Sequence, residues 1–222
     1  MGKEIDLMSL YPQSKGRLIE RPMVTEEDRV ISRKFSLDYF DGDRKHGYGG
    51  FNYHPRFWTD TVRLFADYYA LSQDAHILDV GCAKGFMLKD FKQLLPMSNL
   101  AGIDISDYAI EHADLEVKDF VSVGNAVQLP FGDKQFDLVI SINTLHNLDQ
   151  EGCMKALSEI ERVCKGNSFV MVDGWRTKEE QQRLESWVLT AKTMMSADEW
   201  VKLFISERQL NSVTDRDKIF NL

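Results

Sequence analysis

The chain has 222 residues, room for one sizeable domain with a short extra segment, since a single core usually serves on the order of 100 to 200 residues. Hydrophobic residues at 43% and charged residues at 28% are ordinary globular values, which excludes a wholly disordered or fibrous chain. A net charge of −8 disfavours a phosphate backbone as substrate, and no apolar run approaches the roughly 20 residues that cross a bilayer.

The opening MGKEIDLMSL has no basic stretch followed by a long apolar one, so a cytoplasmic protein without membrane contact is expected. A helix is expected over 26–39, then a loop rich in Gly and Asp, then a helix over 60–71. Residues 1–58 read as a cap or lid ahead of a nucleotide-binding domain at 59–222. From 77 onward, short apolar runs alternate with longer periodic segments, the pattern of parallel strands joined by helices. Strands are expected at 76–80, 100–104, 119–123, 136–142 and 168–173. A helix at 85–95 stops before Pro96, and Ser106 caps the next one. A helix at 149–165 would end on Arg162, Lys165 and the terminating Gly166. Thr177 with Glu180, and Ser196 with Glu199, form capping boxes for two further helices. Leu184, Trp187, Val188 and Ala191 would line the first of these, and Trp200, Leu203 and Phe204 the second, as core rather than binding surface. Cys82, Cys153 and Cys164 have no metal-ligand or CxxC spacing and read as reduced, buried thiols.

The strongest local signal is ILDVGCAKGF at 77–86, a buried strand running into a glycine turn and then a helix. Glycines there permit positive φ and close approach of a ligand, while the helix start offers free N–H groups to an anion. The spacing is not GxGxxG, which separates it from the usual dinucleotide turn. Asp104 ends the second strand, where a carboxylate can accept hydrogen bonds from both ribose hydroxyls. Asn125 and Ala126 follow the third strand, and all three places meet at the carboxyl ends of neighbouring strands.

ILDVGCAKGF, GIDIS at 102–106, GNAVQLPF at 124–131 and FDLVISINTLHNL at 136–148, in that order, resemble the motif set of class I S-adenosylmethionine methyltransferases, in particular the small-molecule, quinone-methyltransferase-like branch. The resemblance covers residues 60–173. It implies a three-layer Rossmann-like fold, a mostly parallel sheet with helices on both faces, whose usual antiparallel C-terminal hairpin is expected to be abbreviated or missing in the short tail. It also implies S-adenosylmethionine as donor, leaving S-adenosylhomocysteine. By the same resemblance Asp79, Gly81, Cys82 and Gly85 surround the methionine portion, Asp104 holds the ribose, Ile105 packs on the adenine, Asn125 and Ala126 touch its edge, and Ser141 lies beside the sulfonium. The chain departs from the family at Ala83, where glycine is common, and at Asn125, where aspartate is common.

The stretch 39–58 is similar to one in uncharacterised bacterial methyltransferases, some linked to surface carbohydrate, and its aromatic rings, charges and glycines suit a lid. Within it Tyr48 and His54 are candidate acceptor contacts, and His46 and His54 are also second-choice bases, with an ordinary solvated histidine as the alternative for each. Asp41 and Asp43 read as turn residues, and no metal is expected. Methyl transfer chiefly needs alignment, worth roughly 7 to 11 kcal/mol of barrier. Where the acceptor must lose a proton, His146 is the candidate base, with a structural histidine as the alternative. The segment SINTLH lacks the Pro-Pro signature of adenine or glutamine amino-methyltransferases, which leaves O- or N-methylation of a small molecule, carbohydrate-related metabolites included. A cofactor-binding protein without catalysis and a nicotinamide-dependent reductase are the competing readings.

Overall fold

The computed structural model describes residues 3–12, 24–210 and 217–221. In chain order the elements are β1 (Lys3–Glu4), α1 (Glu26–Ser32), α2 (Leu37–Phe40), α3 (Pro55–Tyr68), β2 (His76–Val80), α4 (Phe86–Leu94), β3 (Asn99–Asp104), α5 (Asp107–Glu111), β4 (Val121–Val123), β5 (Phe136–Ile142), α6 (Gln150–Val163), β6 (Cys164–Trp175), α7 (Lys178–Trp187), β7 (Met195–Ser196), α8 (Ala197–Leu210) and β8 (Asp217–Asn221).

The apolar runs become strands because both of their faces are covered, and side chains alternate between those faces with period two. Ile77, Leu138, Ile140, Phe169 and Met171 pack with Val62 and Phe65 of α3 and Phe91 of α4. Leu78, Val80, Val139, Val170 and Val172 face the other way, onto Leu157 and Ile160 of α6 and Trp200 and Phe204 of α8. The result is three layers, helices on both sides of a sheet ordered β1-β8-β6-β5-β2-β3-β4, with β7 paired to the end of β6.

Every ladder between these strands is parallel. The antiparallel hairpin expected to close the sheet is therefore not found among the described residues. Helix α8 crosses over before β8 pairs with β6, which returns the strand in the same direction as the rest. From β2 the chain winds outward through β3 and β4, then crosses back to β5 on β2's other side. That reversal is a topological switch point, where open α/β sheets leave a crevice at the carboxyl ends of their strands.

Four expectations are corrected. The first helix breaks into α1 and α2, because Phe35 takes a left-handed φ of 48°. Helix α3 begins at Pro55, which has the fixed φ suited to a first turn, so the boundary expected at 58/59 falls inside it. Helix α6 ends at Val163, and Lys165 and Gly166 belong to β6. Gly166 is a glycine because a β-carbon there would stand 2.3 Å from the Asp137 carbonyl oxygen of β5, not because it ends a helix. Helix α7 ends at Trp187, which is exposed, while Val188 and Ala191 pack on Leu184 and Trp175 from the following loop. The expected capping boxes of Thr177 with Glu180 and Ser196 with Glu199 are both formed. The three cysteines are buried and unpaired. No helix of the described residues is long and apolar enough to cross a membrane. Residues 13–23 of the expected cap lie outside the described residues.

Gly166→Ala is expected to lower stability by about 1 to 3 kcal/mol, the usual effect of forcing atoms into a packed interior, read as a fall in the urea midpoint with unchanged slope.

Candidate active site at the carboxyl ends of the strands

Strand β2 ends in a turn held by two strands at once. Gly81 and Ala83 have φ of 88° and 49°, and Gly85, at 76°, starts α4. The N–H groups of Gly81 and Cys82 both donate to the Ile103 carbonyl, at 2.7 and 3.1 Å. The Ala83 N–H donates to Asp104 Oδ2 at 2.8 Å, and the Ser106 N–H to Oδ1 at 2.8 Å. Gly81 admits no side chain, because a β-carbon would lie 1.9 Å from Thr144 Oγ1. Ala83, the departure from glycine, holds its left-handed backbone through the bond to Asp104, at a steric cost of roughly 1 to 2 kcal/mol.

Above this turn is a cavity of about 350 Å³. Gly81, Asp104, Ile105, Asn125 and Ala126 line one side, Asn143, Thr144 and Asn147 the other, and Phe35, Tyr39, Phe40 and Tyr48 of the cap form the roof. Ile105 is 55% exposed, an apolar side chain held into the open space where a flat ring could lie on it. Its volume lies within the roughly 300 to 1,000 Å³ of small-ligand sites.

Of the nine expected cofactor contacts, five line this cavity and four do not. Asp79 is buried beneath the turn. Cys82 is buried too, and burial, then the nearby Asp79 and Asp104, push its thiol well above the usual range, so it is held as an unreactive thiol. Gly85 forms the start of α4. The Ser141 hydroxyl donates to the Val80 carbonyl at 2.9 Å, tying β5 to β2 across the switch point.

His146 reaches the strand ends but not the cavity lining. It is buried, its Nδ1 accepts the Asp173 N–H at 3.0 Å, and its carbonyl accepts the N–H groups of Lys192 and Thr193. Burial holds the ring below the usual histidine range against the pull of Asp173, so it is neutral near pH 7. With Nδ1 already accepting, the remaining ring nitrogen carries the proton, and no lone pair is left for an acceptor's proton. Tyr48 lies in the roof; His54 does not, since its Nδ1 accepts the Arg56 N–H at the start of α3. His46 pairs with Asp28 at 3.1 Å, joining the loop to α1.

Sequence reasoning missed the latch that holds the roof. Lys84, inside the turn, donates to Asp41 Oδ2 at 2.6 Å and to the Phe51 carbonyl at 2.9 Å. Tyr108 and the Phe51 N–H also donate to Asp41, so its carboxyl is held below its usual range although burial alone would raise it. The run of charges around Asp41 was the only signal, and it read as a turn. Among the described residues, no group of three or more His, Cys, Asp or Glu could hold a metal.

Asp79 and Asp104 give the floor two enclosed carboxylates. Burial, then Asp104, raise Asp79 to about 7, and burial raises Asp104 against the hydrogen bonds of Ser106, Ala83 and Ile105. A ligand bearing positive charge relieves that repulsion.

The chain has the class I methyltransferase fold, shared with the YcgJ protein from Bacillus subtilis (TM-score 0.53, 21% identity, 66% of each chain) and the BH2331 protein from Bacillus halodurans (TM-score 0.51, 19% identity, 66% of this chain and 67% of that one). Residues 78–172 match the family described as a methyltransferase domain. The matched stretch and the shared fold together support a class I S-adenosylmethionine-dependent methyltransferase domain over residues 78–172. It is 35% identical over 136 residues to a tRNA (carboxymethyluridine(34)-5-O)-methyltransferase of Arabidopsis thaliana, covering 60% of this chain and 31% of that protein. It is 36% identical over 125 residues to a demethylmenaquinone methyltransferase of Symbiobacterium thermophilum, covering 52% of this chain and 49% of that one. The chain therefore spans between about a third and a half of the length of these curated relatives.

Asp104→Ala is expected to weaken S-adenosylhomocysteine binding roughly 10- to 100-fold, the equivalent of about 1.5 to 3 kcal/mol for hydrogen bonds to a charged group, as measured by calorimetry. Because the ligand's ammonium favours ionised Asp79, affinity should rise as pH is raised from about 6 to about 8 and level off above the Asp79 value of about 7. Asp79→Asn should flatten that rise.

Proposed function

We propose that this chain is an active methyltransferase that moves the methyl group of S-adenosylmethionine to an oxygen or nitrogen atom of a small molecule. The observation that carries the reading is the single cavity in which Gly81, Asp104, Ile105, Asn125 and Ala126 converge beneath the roof of the cap. The family supplies a reactive sulfonium donor, and this chain's residues hold and orient. Asp104 is offered to the ribose hydroxyls, Ile105 and Ala126 to the adenine, and the bare backbone of Gly81 lets the donor's chain approach. Asn143 and Thr144 line the space where the acceptor meets the methyl group. Alignment of the two reactants supplies most of the barrier reduction.

The segment 24–58 serves as a lid: latched to the turn through Lys84 and Asp41, it encloses both reactants and excludes water. A roofed cavity under a chain of net charge −8 favours a small acceptor over a nucleic acid, although one relative is named for a tRNA position. His146 is a positioning residue: its ring accepts the Asp173 N–H at the end of β6, and so holds in place the carbonyl that accepts the Lys192 and Thr193 N–H groups beside the acceptor space. A proton shed by the acceptor then leaves by way of water or another group.

The test is a titration with S-adenosylhomocysteine and with NADH, followed by incubation with labelled S-adenosylmethionine and a metabolite extract. Binding of the first ligand alone and appearance of a labelled small product are expected. Tight NADH binding without a response to S-adenosylhomocysteine would favour a reductase, and binding without labelled product a non-catalytic protein. With an acceptor in hand, His146→Gln is expected to lower turnover about tenfold while the shape of the pH profile persists, since no proton passes through the ring. An acid limb that disappears with His146 would restore the histidine as the base.

A further inference from the structure

At its β5–β6 end the cavity changes sign. Arg33, at the end of α1, and Lys192, in the loop before β7, both line it, while Asp104 is a lining residue on the β3 side. Arg33 is fixed: Nη2 donates to the Ala191 carbonyl at 3.1 Å and Nη1 to Glu26 Oε1 at 3.1 Å, with Glu26 two-thirds exposed on the outer edge. Its Nε is enclosed and has no hydrogen-bond partner. The backbone of Lys192 is pinned by its N–H to the His146 carbonyl at 2.9 Å, and its ammonium has no carboxylate partner among the described residues. Beside them, Asn147 donates from Nδ2 to the Asn143 carbonyl, and its Oδ1 is enclosed and unpartnered. Asp173 is largely buried behind His146 and does not line the cavity.

A guanidinium N–H left dry and unpaired is costly, and two cations held to one cavity run against a chain of net charge −8. Such donors suit a carboxylate or phosphate, to which arginine presents parallel N–H groups. They lie across the switch point from the Gly81–Gly85 turn, where the cofactor's amino-acid end is expected and where α4 offers its own free N–H groups.

We infer that Arg33 and Lys192 form an anion subsite, and that the methyl acceptor is a small molecule bearing a carboxylate or phosphate group away from the atom that is methylated. This rests on the methyltransferase reading. Asn147 Oδ1 accepts from a hydroxyl or amine on the same acceptor.

The experiment uses the full chain saturated with S-adenosylhomocysteine and titrates it with inorganic phosphate and with benzoate by calorimetry. The wild type is compared with Lys192→Met, Arg33→Met and Arg33→Lys, each checked for folding by thermal melting. S-Adenosylhomocysteine and 5′-methylthioadenosine, which has the adenosyl sulfur without the amino acid, are titrated separately. At least one anion should bind the loaded wild type and weaken about tenfold or more in Lys192→Met and Arg33→Met, less in Arg33→Lys, with S-adenosylhomocysteine within about twofold throughout. Lys192→Met carries the test alone if loss of Arg33 unfolds the cap. No anion binding to the loaded wild type, or binding that Lys192→Met leaves unchanged, overturns the subsite. So does a large loss of S-adenosylhomocysteine affinity with methylthioadenosine unaffected, which would give the cations to the cofactor's own carboxylate. Failure of folded wild type to bind S-adenosylhomocysteine overturns the underlying methyltransferase reading instead.

Discussion

The carboxylate of Asp104 is the point on which the site is built. It sits at the end of β3, yet its oxygens accept N–H groups from Ala83 in the neighbouring turn and from Ser106 at the head of α5. An enclosed carboxylate is costly to keep charged, and these backbone donors offset that cost. The bond fixes the left-handed Ala83, and with the two N–H groups given to Ile103 it sets the path of the chain from β2 into α4. The cavity floor follows from that path. Spare lone pairs remain on the same oxygens, so the group that shapes the floor also lines the cavity above it with acceptors to offer.

The roof depends on the same turn. Lys84 lies one residue beyond Ala83, and its ammonium reaches up to Asp41 and the Phe51 carbonyl. Around this pair, its lysine buried and its aspartate partly exposed, the rings of Phe40, Tyr48, Phe51 and Phe86 pack at 4.4 to 6.1 Å between centroids. Removing Asp41 would leave the buried Lys84 ammonium without its carboxylate, so the cap is tied to the turn through this contact. Such coupling fits an enclosure that opens as a unit, on the scale of other active-site lids.

The sheet supplies the frame and the loops supply the chemistry, as in other folds that host many reactions. Residues 78–172 match a methyltransferase-domain family, and relatives named for a tRNA position and for demethylmenaquinone align with 60% and 52% of this chain. Above the strand ends stand α1 and α2, the latch, and the loop after α7, where Arg29 of α1 donates to the Glu185 carbonyl of α7 and to the Val188 carbonyl just beyond it. The proposed acceptor contacts, Arg33, Tyr48, Asn147 and Lys192, line the same cavity from outside the motif glycines and carboxylates.

Wherever the signal was local, the chain declared itself. The strands β2 and β5 were legible to the residue, because apolar runs flanked by turn residues have one stable use in a sheet covered on both faces. So were the caps at Ser106, Thr177 and Ser196, where a side chain answers an N–H three residues on. Asp104, Ile105 and Asn125 could be named from their place at strand ends. Long-range contacts decided the rest. Gly166 looked like a helix stop until β5 stood beside it, and Asp41 looked like a turn residue until Lys84 reached it. His146 looked like a base until the Asp173 N–H occupied its lone pair. Arg33 and Lys192, so far apart in sequence, share a cavity only because α1 folds onto the loop after α7, and no pattern of spacing encodes that meeting.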